Sequence, residues 1–524
     1  MKLFGMLERA AALHGRDLAV VDGAFRCDYG ELRARAAALG AFLRTAGVEP
    51  GARVAILAWN GHEYLETYFA AAAAGVILCP LNVRLAPVEL AAILADAGVE
   101  WIVADTEFEA GLARVRAFHA GLCGVVWIGA GSAEAPGLRS IGYEAAIESA
   151  RGAGASADRA LDDVAQLYYT SGTTGRAKGV MLSQRNVSVH ALGAIAELGL
   201  EERDRWAHIA PMFHLADAWA TFAITWAGGV HVFLRRFEAR AALELLEEER
   251  VTITNLVPTM LNLMLHDPSA RGRDWSSLRR ILSGGAPIAS SVVREIVTVF
   301  GCEYVQTYGM TETSPFLTLS LPPRRRTLAP EEELRVRCKT GRPFATIELR
   351  VVDASGRDVS ADDRTVGEIW VRGETVTRGY WNQPEETRAA FTEGWLRTGD
   401  LATLDGAGYV TIVDRMKDMI LTGGENVYST EVEHALYAHP AVLEAAVFGV
   451  ADARWGEAVC AAVVVRSGAK VEVAALLEHC GARLARYKVP RHVEFLAELP
   501  RTGSGKITKR LLRERFLRSP LDVG

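Results

Sequence analysis

The sequence predicts an α/β protein: a large N-terminal domain of layered α/β subdomains plus a β-rich subdomain, then a small mobile α+β C-terminal domain. Three observations predict it. Helical apolar spacing alternates with short apolar runs through the first two-thirds of the chain; short alternating segments take over after about residue 340; mixed helix and strand patterns return after about residue 415.

The alternation is clear in "ELRARAAALGAFLRTAGVEPGARVAILAWNG", which reads as a helix, then a strand ending at Asn60 and Gly61, with another helical stretch beyond. It recurs through "AAILADAGVEWIVAD", "VTITNLVPTMLNLMLHD" and "LRRILSGGAPIASSVVREIVTVFGCEYVQTYG". Such repetition implies mostly parallel strands with helices on their faces. "TIELRVVD", "GEIWVRG" and "GYVTIVD" are short, alternating and punctuated by Gly and Asp, as in an antiparallel sheet or barrel. They give a β-rich subdomain over about 340–413. The expected domains are therefore residues 1–414 and 415–524, with the boundary near Arg415. No internal repeat or low-complexity tract is present, and "PPRRR" at 322–326 reads as a solvated loop.

Composition narrows the function classes. At 524 residues the chain exceeds one ordinary domain, and 50% hydrophobic against 23% charged residues gives a substantial core rather than disorder. A net charge of −6 offers no electrostatic reason for a nucleic-acid partner. The apolar runs "YFAAAAAGVILC" and "AWATFAITWAGGV" are shorter than the ~20 residues that cross a bilayer, so no transmembrane segment is expected. At the N-terminus, Glu8 and Arg9 interrupt what a secretory signal would keep apolar, and "MKLFGMLERAAALHGRD" reads as an amphipathic helix. Seven cysteines without a C-x-x-C pair signal neither a disulfide framework nor a zinc site, which fits a reducing cytoplasm. A homodimer is left open.

The stretch with the most chemistry is "YYTSGTTGRAKGV", Tyr168 to Val180. The strand-like "DVAQLYYT" runs into "SGTTGRAKG", whose glycines let successive N–H groups turn toward an anion while Ser171, Thr173 and Thr174 add hydroxyl donors. The Walker pattern fails, because Ala177 precedes Lys178 and Gly179 follows it. On these residues alone, a phosphate site and an ordinary Gly/Thr turn both stand.

"YTSGTTGRAKG" resembles the signature of the adenylate-forming superfamily: acyl- and aryl-CoA ligases, nonribosomal peptide adenylation domains and firefly-type luciferases. Further motifs occur in that family's order: "PMFH" ending at His214, "SGGAP" from Ser283 to Pro287, "YGMTE" from Tyr308 to Glu312, and "TGD" ending at Asp400. "DRMKDMILTGGENVY" begins at Asp414, and "PRTGSGKI" contains Lys506. The resemblance covers nearly the whole chain.

It implies a carboxylic acid joined to the α-phosphate of ATP and then passed to a thiol, with ATP, Mg2+ and coenzyme A as cofactors. Attack of one anion on another needs cationic compensation. Lys506 is the implied catalytic lysine, with Thr311 on the α-phosphate, Glu312 and Thr173 on Mg2+, and His214 either gating the acid pocket or contacting the reacting carboxylate. Nucleotide binding is implied for Thr170, Ser171, Gly172, Thr173, Thr174, Gly175 and Lys178. Tyr308 would stack on adenine, Gly284, Ala286 and Pro287 would wall it, and Asp400 and Arg415 would hold the ribose. Lys417 matches the hinge position, and Gly423 and Gly424 would leave room for pantetheine. Lys509 and Arg510 read as a solvated cationic helix face.

Phe213, Ala216, Trp219, Phe222 and Met310 are the expected acid-pocket residues, and their apolar or aromatic character suits a medium-chain fatty or aryl acid. Asp217 is unusual there: a buried unpaired carboxylate costs several kcal/mol, so it either points out of the channel or meets a polar group. The expected activity is ATP-dependent acid–CoA ligation. The alternatives are a free-standing adenylation enzyme that loads a carrier-protein pantetheine, and a non-catalytic nucleotide sensor.

Overall fold

The computed structural model describes residues 1–119, 121–129, 137–153, 157–170, 177–286, 288–323, 327–452, 454–501 and 507–518. The chain forms two compact units, Met1–Leu349 with Val371–Leu396, and Arg350–Trp370 with Arg397–Gly524. The first cuts fall inside the strands Ile347–Val352 and Gly367–Gly373, so the β-rich region contributes to both units.

Two sheets organise the first unit. One has nine strands in the order Arg342–Pro343, Phe316–Leu319, Glu303–Gly309, Arg280–Ser283, Ile253–Asn255, Arg205–His208, Val230–Phe233, Leu18–Asp22, Phe25–Asp28. Its pairings from Glu303–Gly309 across to Leu18–Asp22 are parallel, and those at both edges are antiparallel. The other has seven strands in the order Arg139–Gly142, Gly124–Ile128, Val99–Asp105, Arg53–Leu57, Ile77–Pro80, Val164–Thr170, Lys178–Ser183, parallel except for the last. Helices cover their faces, which is why strands such as "RVAIL" and "GVVWI" are nearly continuous apolar runs rather than alternating ones.

Local signals set the helices. Asp28 accepts a 2.8 Å hydrogen bond from the Glu31 amide and caps Tyr29–Thr45. Gly75, at φ +72°, closes His62–Ala74 in the left-handed conformation that disfavours a side chain. The expected amphipathic N-terminal helix is Leu3–His14, which buries Leu3, Phe4, Met6, Leu7 and Ala10.

In the second unit, strands Val442–Asp452 and Gly456–Val465 form a long antiparallel hairpin, and Gly456–Val465 also pairs with Ile420–Thr422 near its start and with His492–Phe495 further along. Successive strand side chains point to opposite faces. Accordingly Val447, Ala461 and Val463 pack with Val432, Leu436 and Leu476, whereas Phe448, Cys460 and Ala462 pack with Leu499 and Leu512. Among the described residues, no helix is long and apolar enough to cross a membrane. All seven cysteines are free thiols.

Candidate active site

The "YYTSGTTGRAKGV" stretch is a hairpin: Val164–Thr170 pairs antiparallel with Lys178–Ser183, and Thr170 faces Lys178. Ser171, Gly172, Thr173, Thr174 and Gly175, between these strands in sequence, lie outside the described residues, as do Pro287 and Lys506. Thr170 and Lys178 are the paired ends of the two strands. Lys178 forms an ion pair with Glu386, and its ammonium sits 5.1 Å from the centroid of the Tyr380 ring.

The Tyr380 segment is laced to the hairpin. The Trp381 amide donates to the Gly179 carbonyl at 2.7 Å, and the Met181 amide to Gly379 at 3.2 Å. The Tyr380 hydroxyl donates to Glu312 Oε1 at 2.9 Å, and the Thr377 amide donates to the Glu312 carbonyl at 2.8 Å. Glu312 is buried, 7% exposed, in the short 3-10 turn Thr311–Thr313. Burial first, and then the Glu312 carboxylate, push the Tyr380 phenol up, so its hydroxyl stays a donor.

The "YGM" and "SGG" segments leave the C-terminal ends of neighbouring parallel strands, Glu303–Gly309 and Arg280–Ser283, with Ser283 opposite Gln306. In open α/β sheets that end is where ligands bind. Glycine is required twice: a Cβ at Gly284 would meet Thr307 Oγ1 at 2.3 Å, and one at Gly309 would meet the Pro315 carbonyl oxygen at 1.9 Å. Tyr308, Met310 and Thr311 are partly exposed, and Ala286 is exposed.

The segment leading to His214 is clamped from outside its own element. Asn60 donates to the carbonyls of His208 and Ala210 at 3.1 and 2.9 Å and accepts from the Met212 amide at 2.9 Å. Tyr68 donates to the Met212 carbonyl at 3.0 Å and lies 2.7 Å from the Tyr168 hydroxyl. Partly exposed His214 precedes the turn Leu215–Ala218, and Ala216 is exposed beside it. Phe213 and Trp219 are buried, the latter against Trp206 and Phe316. Phe222 is a core residue, packed edge-on against Tyr68 and Phe69.

Asp217 meets polar groups. Its carboxylate accepts from Trp206 Nε1 at 3.3 Å and from His208 Nδ1 at 2.5 Å. The chain continues from His208 Nε2 to His231 Nδ1 at 2.9 Å, and from His231 Nε2 to Thr225 Oγ1 at 2.9 Å. Burial first, and then His208, hold His231 well below the usual histidine range, so it is neutral.

Within the second unit, Asp400 and Arg415 are cross-strand partners, with Arg415 Nε 3.4 Å from Asp400 Oδ1. Lys417 follows, exposed. Gly423 and Gly424 form a two-residue hairpin turn with φ +60° and +84°, the conformation that such a turn demands. The Gly423 amide donates to the Trp455 carbonyl at 2.7 Å. Arg510 is exposed and bonded to Glu514, as a solvated face requires. Lys509 departs from that expectation: its side chain is 16% exposed and reaches Ser429 Oγ at 2.5 Å and Glu433 Oε1 at 2.8 Å. Ser429 is held in turn by the buried Asp414, whose carboxyl burial pushes up and Lys509 draws back down.

The family model for AMP-binding enzymes matches residues 7–381, and that for the AMP-binding enzyme C-terminal domain matches 431–506. The chain belongs to the AMP-binding enzyme family. This AMP-binding enzyme is 39% identical over 97% of its length to a feruloyl-CoA synthase of Amycolatopsis sp, covering 98% of that protein. It is 36% identical over 98% of its length to the long-chain-fatty-acid–CoA ligase FadD13 of Mycobacterium tuberculosis, covering 99% of it. ATP-bound MatB from Rhodopseudomonas palustris superposes with a TM-score of 0.87 at 32% identity, covering 98% of this chain and 99% of that one. The AMP-binding enzyme is an acid–thiol ligase of the acyl-CoA synthetase class.

Sequence reasoning missed Tyr380, Glu386, His208 and His231. The signal for Tyr380 is the aromatic pair in "RGYWN". That for the histidines is their placement in the apolar strands "RWAH" and "VHVF", where a buried imidazole needs partners. Asp22, His62 and Glu63 also bring ligand atoms within 4.8 Å of one another, but the 2.8 Å contact of His62 Nδ1 with Asp22 Oδ2 accounts for them as an ion pair.

Proposed function

We propose that this enzyme activates an aryl or medium-chain fatty acid with ATP and Mg2+, forming an acyl-adenylate, and transfers the acyl group to coenzyme A. The carrying observation is the convergence of Lys178, Tyr380 and Glu312: a cation at the start of the strand that follows the Gly/Thr stretch in sequence and a buried carboxylate, joined through one aromatic side chain.

In the first step a carboxylate oxygen attacks the α-phosphorus, the bond to the bridging oxygen of the β-phosphate breaks, and pyrophosphate leaves with the electron pair. Thr170, the loop donors Ser171 to Gly175, and Lys178 bind the phosphates, and Thr311 donates to the α-phosphate. The donor set fits Mg2+, since the buried Glu312 presents a hard carboxylate oxygen and its chain neighbour Thr311 a hydroxyl; Thr173, the other proposed ligand, lies outside the described residues. When bound, Mg2+ neutralises phosphate charge. Lys506 compensates the charge that develops on the α-phosphate and carboxylate oxygens. His214 orients the acid, Tyr308 with Gly284, Ala286 and Pro287 cradles adenine, and Asp400 and Arg415 hold the ribose.

In the second step the coenzyme A sulfur attacks the acyl carbon, the bond to the phosphate oxygen breaks, and AMP leaves. Gly423 and Gly424 admit the pantetheine, and Lys417 is the pivot between the steps. Phe213, Ala216, Trp219, Phe222 and Met310 shape the acid pocket, Trp219 and Phe222 from the core behind its surface. The aryl and fatty-acid substrates named for the relatives support this choice of acid.

The test is pyrophosphate release by the purified protein with ATP and Mg2+ across fatty, aryl and dicarboxylic acids, each with and without coenzyme A. Aryl or medium-chain acids should give the highest release. Preference for a dicarboxylic acid would contradict the substrate assignment.

A further inference from the structure

Tyr380 belongs to none of the motifs that carried the functional reading, yet it touches two residues that do. It is 9% exposed, and its backbone is bridged to Val180 of the phosphate hairpin. Its hydroxyl donates to Glu312 Oε1 at 2.9 Å, and its ring lies 5.1 Å from the Lys178 ammonium. The flanking backbone bonds from Trp381 to Gly179 and from Thr377 to Glu312 hold the ring in place from both sides. Hydrogen-bond partners behind a metal-binding carboxylate orient it and tune its affinity.

We infer that Tyr380 is a positioning residue for the nucleotide–metal site: its hydroxyl sets the plane of the Glu312 carboxylate for a divalent cation, and its ring seats the Lys178 ammonium for phosphate. The inference rests on the proposed metal role of Glu312. The two contacts come from opposite parts of one side chain, so they are separable. Tyr380→Phe removes the hydroxyl and keeps the ring, whereas Tyr380→Leu removes both.

The experiment is calorimetric titration of ATP into each variant and wild type, without metal and at a series of Mg2+ concentrations, with thermal midpoints recorded alongside. Tyr380→Phe should keep wild-type metal-free ATP affinity and need about tenfold more Mg2+ for half-maximal strengthening of ATP binding. Tyr380→Leu should show that shift and weaker metal-free binding as well. Wild-type Mg2+ dependence in a folded Tyr380→Phe variant overturns the hydroxyl role, and equal metal-free affinity in the two variants overturns the ring role. Glu312→Gln is run in parallel. If it keeps wild-type Mg2+ dependence, the metal role of Glu312 fails and the inference falls with it, an outcome distinct from a wild-type-like Tyr380→Phe alone.

Discussion

Asp217 and His208 are hydrogen-bonded at 2.5 Å with neither side chain exposed to solvent. The bond ties the turn Leu215–Ala218, next to His214, to the strand Arg205–His208 beneath it. The carboxylate that looked out of place in an apolar segment is thus the first member of a buried polar chain ending at Thr225. Asp217→Ala leaves the His208 and Trp206 donors without their acceptor. We expect a loss of about 3 kcal/mol or more in urea unfolding, and a smaller loss for Asp217→Asn, which keeps an acceptor oxygen.

Two buried histidines give stability a defined pH dependence. His190 lies among Trp219, Phe316 and Phe344, and burial pushes it down to about 3; His231 is also held well below its usual range. Below about pH 6.5 the unfolded chain protonates both and the folded chain does not, so the unfolded state binds more protons. Their contribution is complete above about pH 6.5 and is lost as pH falls, by about 1.4 kcal/mol per pH unit for each. His190→Gln should flatten the fall in urea midpoint between pH 6.5 and 5. A variant as steep as wild type would contradict this.

Asp400 is oriented by its cross-strand partner Arg415, and its side chain is 14% exposed. Asp400→Ala should weaken ATP binding about tenfold, or about 1.4 kcal/mol, through loss of hydrogen bonds to the ribose. Titration calorimetry with unchanged affinity would remove Asp400 from the nucleotide site.

Lys506→Ala should lower the rate of adenylate formation by roughly a hundredfold to a thousandfold, the cost of about 3–4 kcal/mol for losing a developing-charge stabiliser. Thioester formation from a supplied acyl-adenylate should be spared. Equal loss in both half-reactions would reject the assignment.

The parallel sheets, the β-rich stretch and the motif order were legible because each is local: apolar period, Gly and Asp punctuation, contiguous residues. What was not legible depends on partners brought together by folding. Tyr380 and Glu312 are 68 residues apart, and His208 and His231 are 23 apart on adjacent strands. Periodicity showed that Phe222 is apolar, but only packing shows that it meets Tyr68 and Phe69. Lys509 read as solvated because the charge run around it is; its neighbours Ser429 and Glu433 come from another helix, Ser429–Tyr437.

Acid–CoA ligation through an adenylate yields one defined pair of products. The most direct measurement is mass spectrometry of the products formed from ATP, coenzyme A and the acid that best releases pyrophosphate. AMP and the acyl-CoA thioester should form in equal amounts, with none of either when the acid is left out. ADP in place of AMP, or AMP accumulating with the acid while coenzyme A stays free, would contradict it.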